Sequence, residues 1–229
     1  MRVSLQHTYP GIGREGAHSY GGNQRWLRDK TMQHCGCGVV AALDLVRYLH
    51  LYRDGFSADF FTGVDDSPAV SRSLYDLCAQ RMRSIYIPVI YPVGTTGFGL
   101  ASGLNRYFRR YDLPLQASWG LSAKKLWQEM ETMLSDDLPV ILSVGNRFPR
   151  VWSKETLCLY RRSSDGSIQV GAGIHAHFFT VTGMDEQWLR VSSWGSEYYI
   201  KKEEFFRYCH HDSIPLLCNM VHLRQKKTD

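Results

Sequence analysis

In Gln33-His34-Cys35-Gly36-Cys37-Gly38-Val39-Val40-Ala41-Ala42 a polar segment gives way to an apolar helix, and a cysteine stands at the junction. Val39, Val40, Leu43, Val46, Tyr48 and Leu49 recur at helical spacing and predict a helix over residues 37–51. A thiol in the first turn feels the positive end of the macrodipole, which favours the thiolate. Farther along, His177 opens a predicted strand, and the chain returns through Ser192-Ser193-Trp194-Gly195. A cysteine nucleophile activated by a histidine base is the chemistry this pair supports. Cys35 and Cys37 are two residues apart and so do not share a helix face; at most one of them points at His177.

Outward from that helix, residues 1–34 read as an irregular, glycine-containing arm. Further helices are predicted over residues 71–83, 100–111, with Leu104 and Phe108 on one face, and 121–134, with Ser122 as N-cap. A strand over 84–91 and a Gly/Thr turn over 93–97 lie between the first two. From Pro139 the pattern changes to strands, predicted over 140–144, 156–161, 167–170, 177–182, 188–192 and 198–200. A short helix over 202–208 and a closing strand over 214–223 complete the order. Helices first and an antiparallel sheet afterwards define an α+β protein. It is expected as one domain over residues 1–229, helical to about residue 136 and sheet from about residue 137. Folding the hairpin about Met184 or Asp185 puts Ser192 or Ser193 across from His177.

Composition narrows the function classes. The net charge of +5 is spread over short clusters, Arg109-Arg110, Arg161-Arg162 and Arg224-Gln225-Lys226-Lys227, none long enough for a nucleic-acid stripe. Residues 1–16 hold no apolar core of a signal peptide, and the longest apolar stretch, 38–46, is broken by Asp44, so no membrane span and a cytoplasmic location are expected. Cys78, Cys158, Cys209 and Cys218 have no framework of spacings and read as buried free thiols. Cys35-x-Cys37 and His175-x-His177 offer soft and imidazole ligands for zinc, but neither is a usual zinc-ligand spacing, and neither metal nor cofactor is expected. Trp26 and Trp194 read as packing groups.

Three features in this order are similar to the papain-like cysteine peptidases: Cys37-Gly38 opening an apolar helix, His177 followed six residues later by Gly183, and Ser192-Ser193-Trp194-Gly195 after one hairpin. Pro139-Val140-Ile141 before the histidine and a 198–200 strand leading to Glu203 and Phe205 resemble more closely the branch of bacteriocin-leader-processing peptidases and their stand-alone bacterial relatives. The resemblance spans Tyr20 to about Tyr208. It implies a papain-like fold in which an N-terminal helical lobe carries the cysteine and packs on a C-terminal antiparallel sheet carrying the histidine. It also implies a cysteine peptidase or related thiol amidohydrolase working through an acyl-enzyme on a peptide or a small amide or thioester. Cys37 would attack the carbonyl and His177 would take and return the proton. The oxyanion glutamine falls on Gln24, with Gln33 as its rival. The family's third member, an Asn or Asp, falls on Ser192, which is shorter and uncharged. A weak orienter, recruitment of another acid such as Asp185, and lost catalysis in a papain-fold binding protein all follow from that serine; an acyltransferase would use the same Cys-His pair.

Overall fold

The computed structural model describes residues 2–14, 17–56, 58–61, 67–145, 148–163 and 165–226. Strands β1 (Val3–Ser4), β2 (Gly11–Arg14) and β3 (Ala17–His18) lead through a 3-10 turn, Gln24–Trp26, into helices α1 (Lys30–Cys35) and α2 (Cys37–Tyr52). After them come a second 3-10 turn, Asp59–Phe61, then β4 (Ala69–Val70), α3 (Arg72–Ile85), α4 (Gly97–Arg110), β5 (Leu115–Trp119) and α5 (Leu126–Ser135). The remainder is β6 (Val140–Val144), β7 (Leu157–Arg162), β8 (Ile168–Ile174), β9 (His177–Met184), β10 (Trp188–Ser193), β11 (Ser196–Lys201), α6 (Lys202–His211) and β12 (Val221–Gln225). The expected α+β class is therefore present, although β1 to β5 fall within the half expected to be helical.

Local chemistry sets the helix starts. Asp29 caps α1 by accepting the Met32 N–H at 2.8 Å, Ser71 caps α3 through Leu74, and Thr96 caps α4 through Gly99. In α2 every residue from Gly38 to Leu49 is buried, so the helix runs through the core and not along its surface. Its polar groups are matched inside: the Arg47 guanidinium donates to the Ser67 carbonyl, and the Tyr48 hydroxyl donates to Asp137.

The main sheet has seven strands, in the order β1-β9-β10-β11-β7-β8, with β6 also paired to β9. Its pairings are all antiparallel. All eight residues of β9 are buried, because β10 covers one edge, β6 and β1 share the other, and α2 packs against the strand. That packing brings the mouth of α2 to the start of β9. Two small sheets, β5-β12 and β3-β2-β4, complete the strands, and the residues just before β12 bridge to β6, Met220 opposite Leu142.

Several expectations are corrected. No strand runs over 84–91: α3 continues to Ile85, and the following segment makes only an isolated bridge between Ile90 and Gly94. The closing strand begins at Val221, since Leu217 and Cys218 donate back to the Ile214 carbonyl in a turn. Ser122 does not cap α5, which starts after Lys125; its hydroxyl accepts from Lys124 instead. The arm contains α1 and paired strands, and β5 emerges where no strand was expected. Leu115, Ala117 and Trp119 of β5 are buried in alternation, but their partner strand β12 lies about a hundred residues away and gives no local signal.

The buried path of α2 makes a direct prediction. Leu43→Ala removes apolar volume from the centre of the core and should lower unfolding free energy by about 2–5 kcal/mol in urea titrations at unchanged m-value. A loss well below about 1 kcal/mol would show that the helix is not packed as described.

Candidate active site

Gly36 sits between α1 and α2 and supplies no side-chain cap, so the first N–H groups of α2 have no side-chain acceptor there. Those of Cys37 and Gly38 face the Cys37 sulfur, as does the N–H of Phe178, the residue after His177. These donors favour the thiolate. Burial outweighs them and pushes the Cys37 thiol above its ordinary value of 9.0. The macrodipole alone was expected to lower it; a helix end contributes about 0.3–1 kcal/mol, which the loss of solvation exceeds here.

His177 is buried at the start of β9, and its Nε2 lies 2.8 Å from the Ser193 hydroxyl. The Trp194 ring packs on the imidazole at 4.7 Å between centroids, and the Arg25 guanidinium lies over the same Trp194 ring, 5.6 Å from its centroid. Burial, and then the charge of Arg25, lower the imidazole from 6.5 to about 3. Cysteine and histidine thus rest together as neutral groups. Trp194 itself is a non-glycine residue at φ 49°, and with Gly195 at φ 73° it forms the tight turn between Ser193 and Ser196. A Cβ on Gly195 would come within 2.3 Å of the Trp26 ring, so both tryptophans are packing groups, one of them on the histidine.

The hairpin register moves the serine assignment. A bulge between Arg190 and Val191 puts Ser192 opposite Thr180, and the Ser192 hydroxyl donates to the Tyr20 carbonyl at 2.8 Å. Ser193, not Ser192, carries the hydroxyl that reaches His177. Asp185 is at the far end of the hairpin, where it accepts the N–H groups of Gln187 and Trp188, and it has no access to His177.

Gln24 is buried in the 3-10 turn, and its Nε2 donates to the carbonyls of Gln33, at 2.9 Å, and His34, at 3.1 Å. The Gln33 side chain is turned to the Leu27 carbonyl. Gln24, Cys37, His177, Ser192 and Ser193 line one cavity of about 10 Å³, room for about one water; Gln33 does not line it. Cys35 donates to the Pro92 carbonyl, and among the described residues no three His, Cys, Asp or Glu side chains gather as metal ligands. No described helix is long and apolar enough to cross a membrane.

Two residues escaped the sequence reading. Arg25 stands next to Gln24 and acts on His177 across Trp194, a contact no local pattern announces. Asp44 lines the cavity from α2; its signal was a single acid in an apolar helix, on the face of Cys37 two turns on.

No protein-family model matches the chain, and no curated protein matches it by sequence. Solved structures similar to it include the following two. One is a Bacillus anthracis protein described as a C39-like peptidase, with 11% identity, a TM-score of 0.50 and all of both chains covered. The other is the active wild-type Prevotella intermedia cysteine protease interpain A, with 13% identity and a TM-score of 0.49, covering 96% of this chain and 94% of that one. The chain has the papain-like fold, an N-terminal helical region with the cysteine packed on a C-terminal antiparallel sheet with the histidine.

The shift at His177 is open to measurement. Imidazole resonances should show a group that stays neutral down to about pH 3, and Arg25→Gln should raise its midpoint. Because the folded value lies below the ordinary 6.5, the group stabilises the fold above that pH and loses this contribution as pH falls toward 3. A midpoint at 6.5 in the folded protein would remove the account of a dry, neutral pair.

Proposed function

We propose that the protein is a thiol hydrolase of the cysteine-peptidase type, in which Cys37 and His177 act on a peptide or a small amide or thioester. The observation that carries this reading is the shared cavity: the helix-mouth thiol, the imidazole held by Ser193 and the Gln24 amide all line it. In the reaction the Cys37 sulfur bonds to the carbonyl carbon as its proton passes to His177. The imidazolium returns that proton to the leaving amine or thiol, and water then releases the acyl group. Ser193 holds the ring, and the backbone N–H groups at the mouth of α2 are donors for the developing oxyanion. Gln24 supplies a further donor once it gives up a bond to the Gln33 or His34 carbonyl. Transfer of the acyl group to an amine would use the same intermediate. The branch of bacteriocin-leader-processing peptidases, a single domain over the whole chain and a cytoplasmic location belong to the same proposal.

One observation favours a second reading, a papain-fold binding protein with weakened catalysis. The partner on His177 is a neutral hydroxyl and not a carboxylate, and burial opposes formation of the ion pair. Hydrolysis of an activated thioester separates the two. Turnover that disappears in Cys37→Ala and in His177→Ala supports the hydrolase; equal background rates in all three proteins support the binding protein. Iodoacetamide labelling of Cys37 should be slow below the ordinary thiol range and rise only at higher pH. Ser193→Asp places an acid on the imidazole and should move that labelling profile to lower pH, while Ser192→Asp, aimed at Tyr20, should not.

A further inference from the structure

Asp44 is a buried acid beside the site to which acyl transfer gives no task. It follows Cys37 by seven residues on α2, which returns it to nearly the same face about 10 Å farther along. Its two oxygens are both occupied: one accepts the Gly22 N–H at 2.8 Å and the other the Tyr75 hydroxyl at 2.7 Å. Gly21, at φ 75°, lies so close that a Cβ there would stand 2.1 Å from the Ser192 hydroxyl and 2.7 Å from the Asp44 carboxyl. The Gly21-Gly22 turn is thus fitted onto the cysteine helix by Asp44 and Tyr75. From the other side the sheet holds it, Gly195 N–H donating to the Gly22 carbonyl and the Asn23 amide to the Trp194 carbonyl. Two residues beyond Gly22 the chain delivers Gln24 to the cavity.

We propose that Asp44 is a positioning residue: its carboxylate seats Gly22 on α2 and thereby sets where Gln24 stands relative to Cys37. The seat depends on charge state. As a carboxylate, Asp44 offers two acceptors to two donors; protonated, it turns one oxygen into a donor, and one of the two partners loses its best acceptor. Burial raises its pKa to about 7 against the Gly22 N–H, the Tyr75 hydroxyl and the Arg47 charge, which all lower it. The groups around it are Tyr9 from the segment before β2, Tyr75 from α3, Arg47 on α2 itself, and His177 and Ser192 from the sheet. Burial drives both tyrosines well above their ordinary value and the histidine to about 3; it also lowers Arg47, whose guanidinium is too strong a base to give up its proton near neutrality. Near neutrality Asp44 is the member of this cluster that changes charge.

The proposal rests on the hydrolase reading only where it concerns rate, so its first test needs no turnover. In nitrogen-edited NMR of the full chain from about pH 5.5 to 8.5, the Gly22 backbone amide and the Gln24 side-chain amide should move together with a midpoint of about 7. Asp44→Asn, of the same size, should abolish both titrations. Asp44→Ala should displace the Gln24 amide resonances at every pH and, on an activated thioester, lower kcat by about 100-fold with KM little changed, since a misplaced oxyanion donor is felt in the transition state. A Gly22 amide that does not titrate, or titrates equally in Asp44→Asn, overturns the seat. A Gln24 amide that stays still while Gly22 moves overturns its link to the site. Coupled titration in a protein that turns over no thioester supports the seat and removes the hydrolase reading instead.

Discussion

A helix without a solvent face is the constraint from which the rest of this structure follows. From Gly38 to Leu49 nothing in α2 is exposed, so each polar group it carries has to be satisfied within the protein. Arg47 finds the Ser67 carbonyl, Tyr48 finds Asp137, and Asp44 finds Gly22 and Tyr75. Cys37 stands at the end of the same helix, where it is partly buried. Its sulfur is surrounded by backbone N–H groups and is nonetheless held as a thiol, because several aligned donors do not replace bulk water around an anion.

The segment from Tyr20 to Gln24 joins this helix to the hairpin that carries the histidine. Tyr20 N–H donates to the Gly195 carbonyl and Gly195 N–H returns a bond to Gly22, a main-chain exchange that makes the segment an extension of the Trp194-Gly195 turn. Ser192 adds its hydroxyl to the Tyr20 carbonyl, and Asn23 reaches the Trp194 carbonyl. With Asp44 fixing the other side, the segment carrying Gln24 is tied to both halves of the site. The serine that a linear reading would give to the histidine is spent on this junction, and its neighbour serves the imidazole.

The two buried titratable groups pull stability in opposite directions with pH. His177 is lowered from 6.5 to about 3, so the unfolded chain binds more protons in that window and the fold gains stability as pH rises through it. Asp44 is raised from 3.8 to about 7, so its contribution is present at low pH and is lost as pH rises through 7. Between about pH 4 and 6.5 the slopes oppose each other. The site keeps its imidazole neutral and its carboxyl near half-ionised at neutral pH through the same cause, exclusion of water.

The sequence by itself determined the parts written in short-range periodicity. The apolar run after Cys37 specifies α2, the break in texture near Pro139 specifies where the consecutive strands β6 to β11 begin, and the apolar run from His177 specifies β9. Order and spacing also placed a cysteine and a histidine on elements that meet. Tertiary structure alone decided which serine faces the ring, because a single bulge between Arg190 and Val191 resets the register. It decided that Gln24 and not Gln33 enters the cavity, through bonds to carbonyls nine and ten residues away. It also decided that β5 pairs with β12, and that the thiol is raised where the helix dipole alone would lower it. Periodicity is a property of neighbours along the chain, whereas register, burial and local solvation are set by groups brought together from distant segments, and the protonation states of Cys37, His177 and Asp44 belong to the second kind.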